Sequence, residues 1–250
     1  TYCDYVDMDI LEVIQDFQTT VGPKKKIQVN VIGIRDKYQL TDNIQFVNVL
    51  DKEAQERLTP DEILQMLKQG NQRFVEGQRT EKYYKHQVNA TSDGQYPMAV
   101  VVSCIDSRTS PEIIFDSGLG DLVSIRVAGN IISDEILGSI EIACDKLGAK
   151  LILVMGHSKC GAIKLAAASV REGKISTITN KIDLAISQCQ HDSNVSHEDY
   201  IDSISWLNVH NSVTEITEKS HYIQGKAHTG KLKIAAAFYD IETGKIRFER

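Results

Sequence analysis

Two short stretches of this chain carry side chains that can hold a metal and do chemistry beside it. They are Cys104-Ile105-Asp106-Ser107-Arg108 and Gly156-His157-Ser158-Lys159-Cys160-Gly161. Each follows an apolar run, over 98–103 and 151–155, so each sits where a buried strand ends and a loop begins. Two thiolates and one imidazole select a borderline-soft ion such as zinc. Three protein donors leave a fourth position open, which distinguishes a catalytic zinc from a structural one.

Convergence is compatible with the spacing. His157 and Cys160 face one point if the chain turns into a helix after Ser158. The 52 residues between Cys104 and His157 make two βα units, enough to return the chain to a neighbouring strand. In open parallel sheets, ligands bind outside the carboxyl ends of the strands. The competing reading is of unrelated residues at loop ends, because a His-x-x-Cys pair alone is weak evidence. Asp106 and Arg108 weigh against it: two residues apart in an irregular loop, they can pair through charge-assisted hydrogen bonds and support a metal from its second shell.

Rival motifs fail on spacing. Cys160 stands where a nucleophile elbow needs its second glycine. There is no C-x-x-C redox pair, no Walker-type loop and no second zinc site at finger spacing. His86, His191, His197, His210, His221 and His228 are scattered among polar residues and read as surface or locally bonded.

The elements that must position these groups come from a chain of 250 residues, enough for one large domain or a domain with an appendage. Composition is that of an ordinary soluble protein, 42% hydrophobic and 25% charged. No apolar stretch approaches a membrane span, and the N-terminus has no signal-peptide pattern. A net charge of −6 argues against a nucleic-acid footprint; Lys24-Lys25-Lys26 reads as a solvated turn. Five irregularly spaced cysteines are not a disulfide framework and suit a reducing, cytoplasmic compartment. Cys144 and Cys189 read as buried thiols. The chain begins at Thr1 without Met, so the expectation is a piece of a longer protein.

A helix is expected from Asp9 to about Thr20, ended by Gly22-Pro23, then strands at 27–34 and 46–50. Residues 1–52 cannot bury a core alone and read as an incomplete domain or appendage. Thr59-Pro60-Asp61-Glu62 combines a cap, a first-turn proline and a capping box, so a helix should run to about Glu76. Residues 77–96 read as a long arm or loop. Strands then alternate with helices: strand 98–103, a short helix after Pro111, strand 121–127, helix 133–147, strand 150–155 and helix 161–171. Helical stretches at 175–190 and 197–220 follow, and strands near 232–239 and 245–249 are joined by a turn at Glu242-Thr243-Gly244. This predicts an α/β fold with a mainly parallel central sheet flanked by helices, an N-terminal helical arm and a small βα appendage.

Taken together, Cys104-x-Asp106-Ser107-Arg108, Arg126-x-Ala128-Gly129-Asn130 and Gly156-His157-x-x-Cys160-Gly161 resemble the β-class carbonic anhydrases. Leu67-Lys68-Gln69-Gly70-Asn71-Gln72-Arg73-Phe74, Gly94-Gln95-x-Pro97 and Tyr239-Asp240-x-x-Thr243-Gly244 extend the likeness over residues 53–250. Val123 stands where some plant-type members carry an aromatic. The resemblance implies a Zn2+ held by Cys104, His157 and Cys160, with Asp106 and Arg108 as the catalytic dyad. The dyad positions the attacking hydroxide or, in a closed form, lets Asp106 take the fourth metal position. Gln95 and Gly161 would bind substrate oxygen, through a side-chain amide and a backbone N–H respectively. It also implies a homodimer or tetramer, with the 59–76 helix as an arm on the partner.

Residues 5–12 and the strand at Ile27 resemble the second half of a STAS domain, the cytosolic tail of sulfate-permease-type anion transporters, some of which are fused to such an enzyme. The expected activity is therefore reversible hydration of CO2 to bicarbonate, at the cytosolic face of the inner membrane if the chain is tethered to a transporter. The alternatives are a non-catalytic zinc module of that transporter and a carbonyl sulfide or carbon disulfide hydrolase. The intact Asp106–Arg108 pair favours catalysis over the first.

Overall fold

The computed structural model describes residues 8–25, 49–80, 82, 84–190 and 194–249. The chain divides into two compact units, Thr1–Asn48 and Val49–Arg250. In the first, a helix spans Met8–Asp16, widens into a π-turn at Phe17–Val21 and runs on over Gly22–Lys24. Gly22-Pro23 therefore does not end it. The Gly22 N–H reaches Phe17 O, and this π register just ahead of Pro23 changes which donors the ladder needs. The strand expected at 27–34 lies outside the described residues, as do Cys3 and most of the strand expected at 46–50.

The second unit is built on a five-stranded sheet. Its strands are β1 (Ala99–Ser103), β2 (Leu122–Arg126), β3 (Leu151–His157), β4 (Lys233–Tyr239) and β5 (Ile246–Glu249). Their order is β2-β1-β3-β4-β5, parallel except for the antiparallel β4–β5 hairpin. Every residue of β1 and β3 is buried, which is why both read as unbroken apolar runs rather than alternating ones. Alternate side chains serve two cores. Ala99, Val101, Leu151, Leu153 and Met155 pack with Ile63, Leu64 and Leu67 of the Pro60–Glu76 helix. Val100, Val102, Ile152 and Val154 pack on the other face, against the helices Asp134–Asp145, His197–Lys219 and His221–His228. The result is the expected α/β architecture, a mainly parallel sheet flanked by helices.

Local signals hold well at the Pro60–Glu76 helix. Thr59 and Glu62 form the reciprocal capping box, and Gly77 closes the helix in the left-handed region. Three expectations need correction. Residues 77–96 contain a helix, Tyr84–Ala90. It is anchored by the buried Gln87 side chain, which accepts the Leu119 N–H at 2.9 Å, so apolar periodicity does not announce it. The helical stretch expected over 197–220 ends at Lys219, and a second helix, His221–His228, starts from Ser220, whose extended backbone and hydroxyl cap it. The thiols of Cys144 and Cys189 are half-buried rather than buried.

A buried carboxylate ties the segment after the Pro60–Glu76 helix to the loop before β2. Asp116 accepts from Arg73 Nε at 2.7 Å, Thr80 N at 3.1 Å, Thr80 Oγ1 at 2.9 Å and Lys82 Nζ at 2.9 Å. Burial pushes this carboxyl up, but the hydrogen bonds from Arg73, Lys82 and Thr80 together outweigh it and hold it below the ordinary value. A depressed folded value means that the stabilisation is present above the unfolded value, near pH 4, and is lost as the pH falls through the folded one. Asp116→Asn should therefore cost about 3–5 kcal/mol at pH 7, the order expected on breaking a buried pair. The gap to wild type should narrow as the pH is lowered from 5. Urea denaturation across that range checks this; a gap independent of pH would contradict it.

Candidate metal centre

The parallel register brings the two signature loops together. Ser103 lies opposite Met155, so Cys104, one residue past β1, is level with Gly156, and His157 is the last residue of β3. His157 thus belongs to the strand rather than to the loop after it. Beyond it the chain turns sharply: Lys159 adopts φ +56, and Cys160 caps the helix Gly161–Ala167. One ring nitrogen of His157 and the sulfurs of Cys104 and Cys160 all lie within 4.8 Å of one another, and all three residues are buried.

The donor set fits zinc. The two sulfurs are 3.8 Å apart, and two thiolates each about 2.3 Å from one tetrahedral ion would be separated by ~3.8 Å. His157 Nδ1 lies 2.9 Å from Ser158 O, and a carbonyl can only accept, so Nδ1 carries the proton. That leaves the Nε2 lone pair, buried and without a hydrogen-bond partner among the described residues, available to a metal. The Cys104 thiol is held well below the ordinary value by the hydrogen bond from Cys160, against the effect of burial, with the Gly129 N–H adding to it. The same sulfur–sulfur bond and burial push Cys160 up. One thiolate is thus already favoured where a cation would bind.

Asp106 and Arg108 are paired as expected. Arg108 Nε donates to Asp106 Oδ1 at 2.9 Å and Nη2 to Oδ2 at 2.8 Å, a two-pronged fork, and the Arg108 backbone N–H adds a third bond at 3.0 Å. The guanidinium holds the Asp106 carboxyl far below the usual carboxylate range. Asp106 is not among the clustered donor atoms, because both its oxygens are engaged by Arg108. Arg126, quoted in the sequence only as part of a motif, fixes the loop that carries both Cys104 and Asp106. Its guanidinium donates to the carbonyl of Cys104, at 3.1 Å, and to that of Asp106.

Gly161 sits beside the cluster as the first residue of its helix, where backbone N–H groups have no partner inside the helix. Gln95 does not reach the cluster. It is exposed just before Pro97, whose carbonyl binds Gln55 at 2.7 Å at the amino end of β1, whereas Cys104 is at the carboxyl end. Val123 lies in β2 and packs in the sheet core, not at the donors. Of three further groups, Gly129 was quoted in the sequence only as part of a motif, and Asp202 and Asn208 went unread. Gly129 N–H lies 3.4 Å from Cys104 Sγ, Asp202 accepts the Lys159 N–H at 2.8 Å, and Asn208 donates to Gly129 O at 2.7 Å.

Residues 99–246 match the family model for carbonic anhydrase. A solved β-carbonic anhydrase, CcaA, superposes with a TM-score of 0.61 at 28% identity, over 75% of this chain and 87% of that one. The chain belongs to the β-carbonic anhydrase family. It is a lyase of that class, a carbonate dehydratase, and zinc is the cofactor these enzymes use. Carbonic anhydrase 2 of Mycobacterium tuberculosis is 34% identical over 186 residues, 72% of this chain and 87% of that protein. The carbonic anhydrase of Mycolicibacterium smegmatis is 44% identical over 110 residues, 44% of this chain and 53% of that one. Two tetrameric β-carbonic anhydrases from Sordaria macrospora share the fold, with a TM-score of 0.60 at 24% identity, over 66% of this chain and 86% of theirs.

Proposed function

We propose that Cys104, His157 and Cys160 hold the zinc ion of this carbonic anhydrase and that Asp106 and Arg108 orient the attack of water oxygen on CO2. The observation that carries this reading is the buried cluster of two thiols and an imidazole nitrogen, unpartnered among the described residues, beside a carboxylate locked by an arginine fork. Zinc, when bound, lowers the pKa of water from 15.7 to about 7 and so makes hydroxide available at neutral pH. Asp106, ionised and immobilised by Arg108, accepts a hydrogen bond from the attacking oxygen and aims its lone pair at the carbon. Ile131, Ile163, Ile182 and Ile201 share one buried apolar cluster with Cys104 and Cys160. The Gly161 N–H steadies a substrate oxygen from the helix N-terminus.

Gln95 joins this site only from a second copy of the chain, since it lies at the far end of β1 from Cys104. A dimer or tetramer is therefore part of the reading. Residues 1–52 are proposed as the end of a STAS-like domain, and 53–250 as the enzyme domain. In a longer chain they would link the enzyme to a membrane anion transporter at the cytoplasmic face, where it interconverts CO2 and bicarbonate beside the carrier. What supports this is the short resemblance over residues 5–12.

Stopped-flow CO2 hydration tests the catalytic roles. Asp106→Asn should lose about 10–100-fold in kcat while keeping its zinc, the range typical of groups that orient a metal site. Wild-type kcat should rise from pH 6 to 9 as hydroxide is populated. An Asp106→Asn enzyme with full kcat, or a flat pH profile, would contradict the assignment. For the tethered protein, Cys160→Ser should reduce bicarbonate flux through the carrier; equal flux would count against coupling.

A further inference from the structure

The helix His197–Lys219 buries polar residues where packing alone calls for apolar ones. Ser205, Asn208 and Ser212 are each at most 3% exposed, on the same face as Val209 and Ile216. A buried polar side chain is costly unless it is hydrogen-bonded, so the partners are informative. Ser205 Oγ donates to His157 O at 3.2 Å. Asn208 Nδ2 donates to Gly129 O at 2.7 Å, and Ser212 Oγ to Asn130 O at 3.0 Å. One turn before Ser205, Asp202 Oδ1 accepts the Lys159 N–H at 2.8 Å.

These bonds end on the backbone of the segment that carries His157 and Cys160 and of the Gly129–Asn130 turn that touches Cys104. His157 is itself a donor. Lys159 lies between His157 and Cys160, in a backbone conformation that non-glycine residues rarely adopt, and the Asp202 bond holds it there. Gly129 presents its N–H to the Cys104 sulfur while Asn208 holds its carbonyl. Close approach is possible because residue 156 is glycine: a Cβ there would lie 2.6 Å from Val209 Cγ2. Residues 202, 205, 208 and 212, three or four apart, share one side of the helix, so one rigid element bonds the His157 and Lys159 backbone directly and reaches Cys104 through Gly129.

We propose that the polar side of this helix, through Asp202, Ser205 and Asn208, is the template that sets the relative positions of Cys104, His157 and Cys160. These are positioning residues; none of them is a donor. Asn208 carries the largest share for Cys104, because it holds the carbonyl of Gly129, the residue whose N–H contacts the sulfur. The inference rests on the ligand assignment above.

The test is zinc release from the zinc-loaded enzyme to the chelator 4-(2-pyridylazo)resorcinol, with the thiolate-to-metal absorption of the cobalt-substituted protein read alongside. Asn208→Leu keeps the volume and removes the grip. It should release zinc at least about 10-fold faster and change the cobalt spectrum, the size typical of outer-shell partners. Ile216→Ala opens the same helix face at a residue that holds no donor loop, and should lower stability without changing either readout. If Asn208→Leu does not fold, Ser205→Ala makes the smallest excision and should move both readouts in the same direction, with Ser205→Thr restoring them. Wild-type release and spectrum in the folded Asn208 or Ser205 variant would overturn the template. So would an equal change in Ile216→Ala. A wild-type protein that binds no zinc would overturn the ligand assignment instead, so the two failures are distinguishable.

Discussion

The parallel register of β1 on β3 is the constraint on which the rest depends. Ser103 opposite Met155 puts Cys104 alongside Gly156 and His157, at the carboxyl ends of neighbouring strands. A slip of one residue would move every side chain of β1 to the opposite face. The two cores forbid that slip, because Val101 and Leu153 belong to one and Val102 and Val154 to the other, all fully buried. Hydrophobic burial on both faces of the sheet is thus what fixes the separation of two residues 53 positions apart in the chain. The approach of the two strand ends is set by apolar packing.

Beyond the strand ends, polar bonds take over from packing. Arg126 holds the carbonyls on either side of Ile105, and Arg108 locks the Asp106 carboxylate. The turn at Lys159 lets His157 and Cys160 share one centre, and the His197–Lys219 helix closes over it with side-chain bonds to the backbone. His157 shows the division most clearly. Its Nδ1 is satisfied by Ser158 O and its Nε2 is left for a metal, so tautomer and orientation are set before any ion arrives.

The donors and the dyad were legible in the sequence because their signals are local: an apolar run that stops, then a fixed spacing of Cys, Asp and Arg or of His and Cys. The Pro60–Glu76 helix was legible for the same reason, from Thr59, Pro60 and Glu62. What was hidden depends on partners far away in the chain. The Tyr84–Ala90 helix is tied down by Gln87 on Leu119, which leaves no apolar period to read. The template helix looks weakly amphipathic because Ser205, Asn208 and Ser212 occupy its buried side, and only their carbonyl partners make them intelligible. The place of Gln95 at the amino end of β1 follows from topology alone. The strand at 27–34 lies outside the described residues.

X-ray absorption at the zinc edge of the purified protein tests the central claim most directly. The account predicts one zinc coordinated by two sulfurs at about 2.3 Å and by lighter nitrogen or oxygen atoms at about 2.0–2.1 Å. A shell with no sulfur, or with four sulfurs, would contradict a centre built from Cys104, His157 and Cys160.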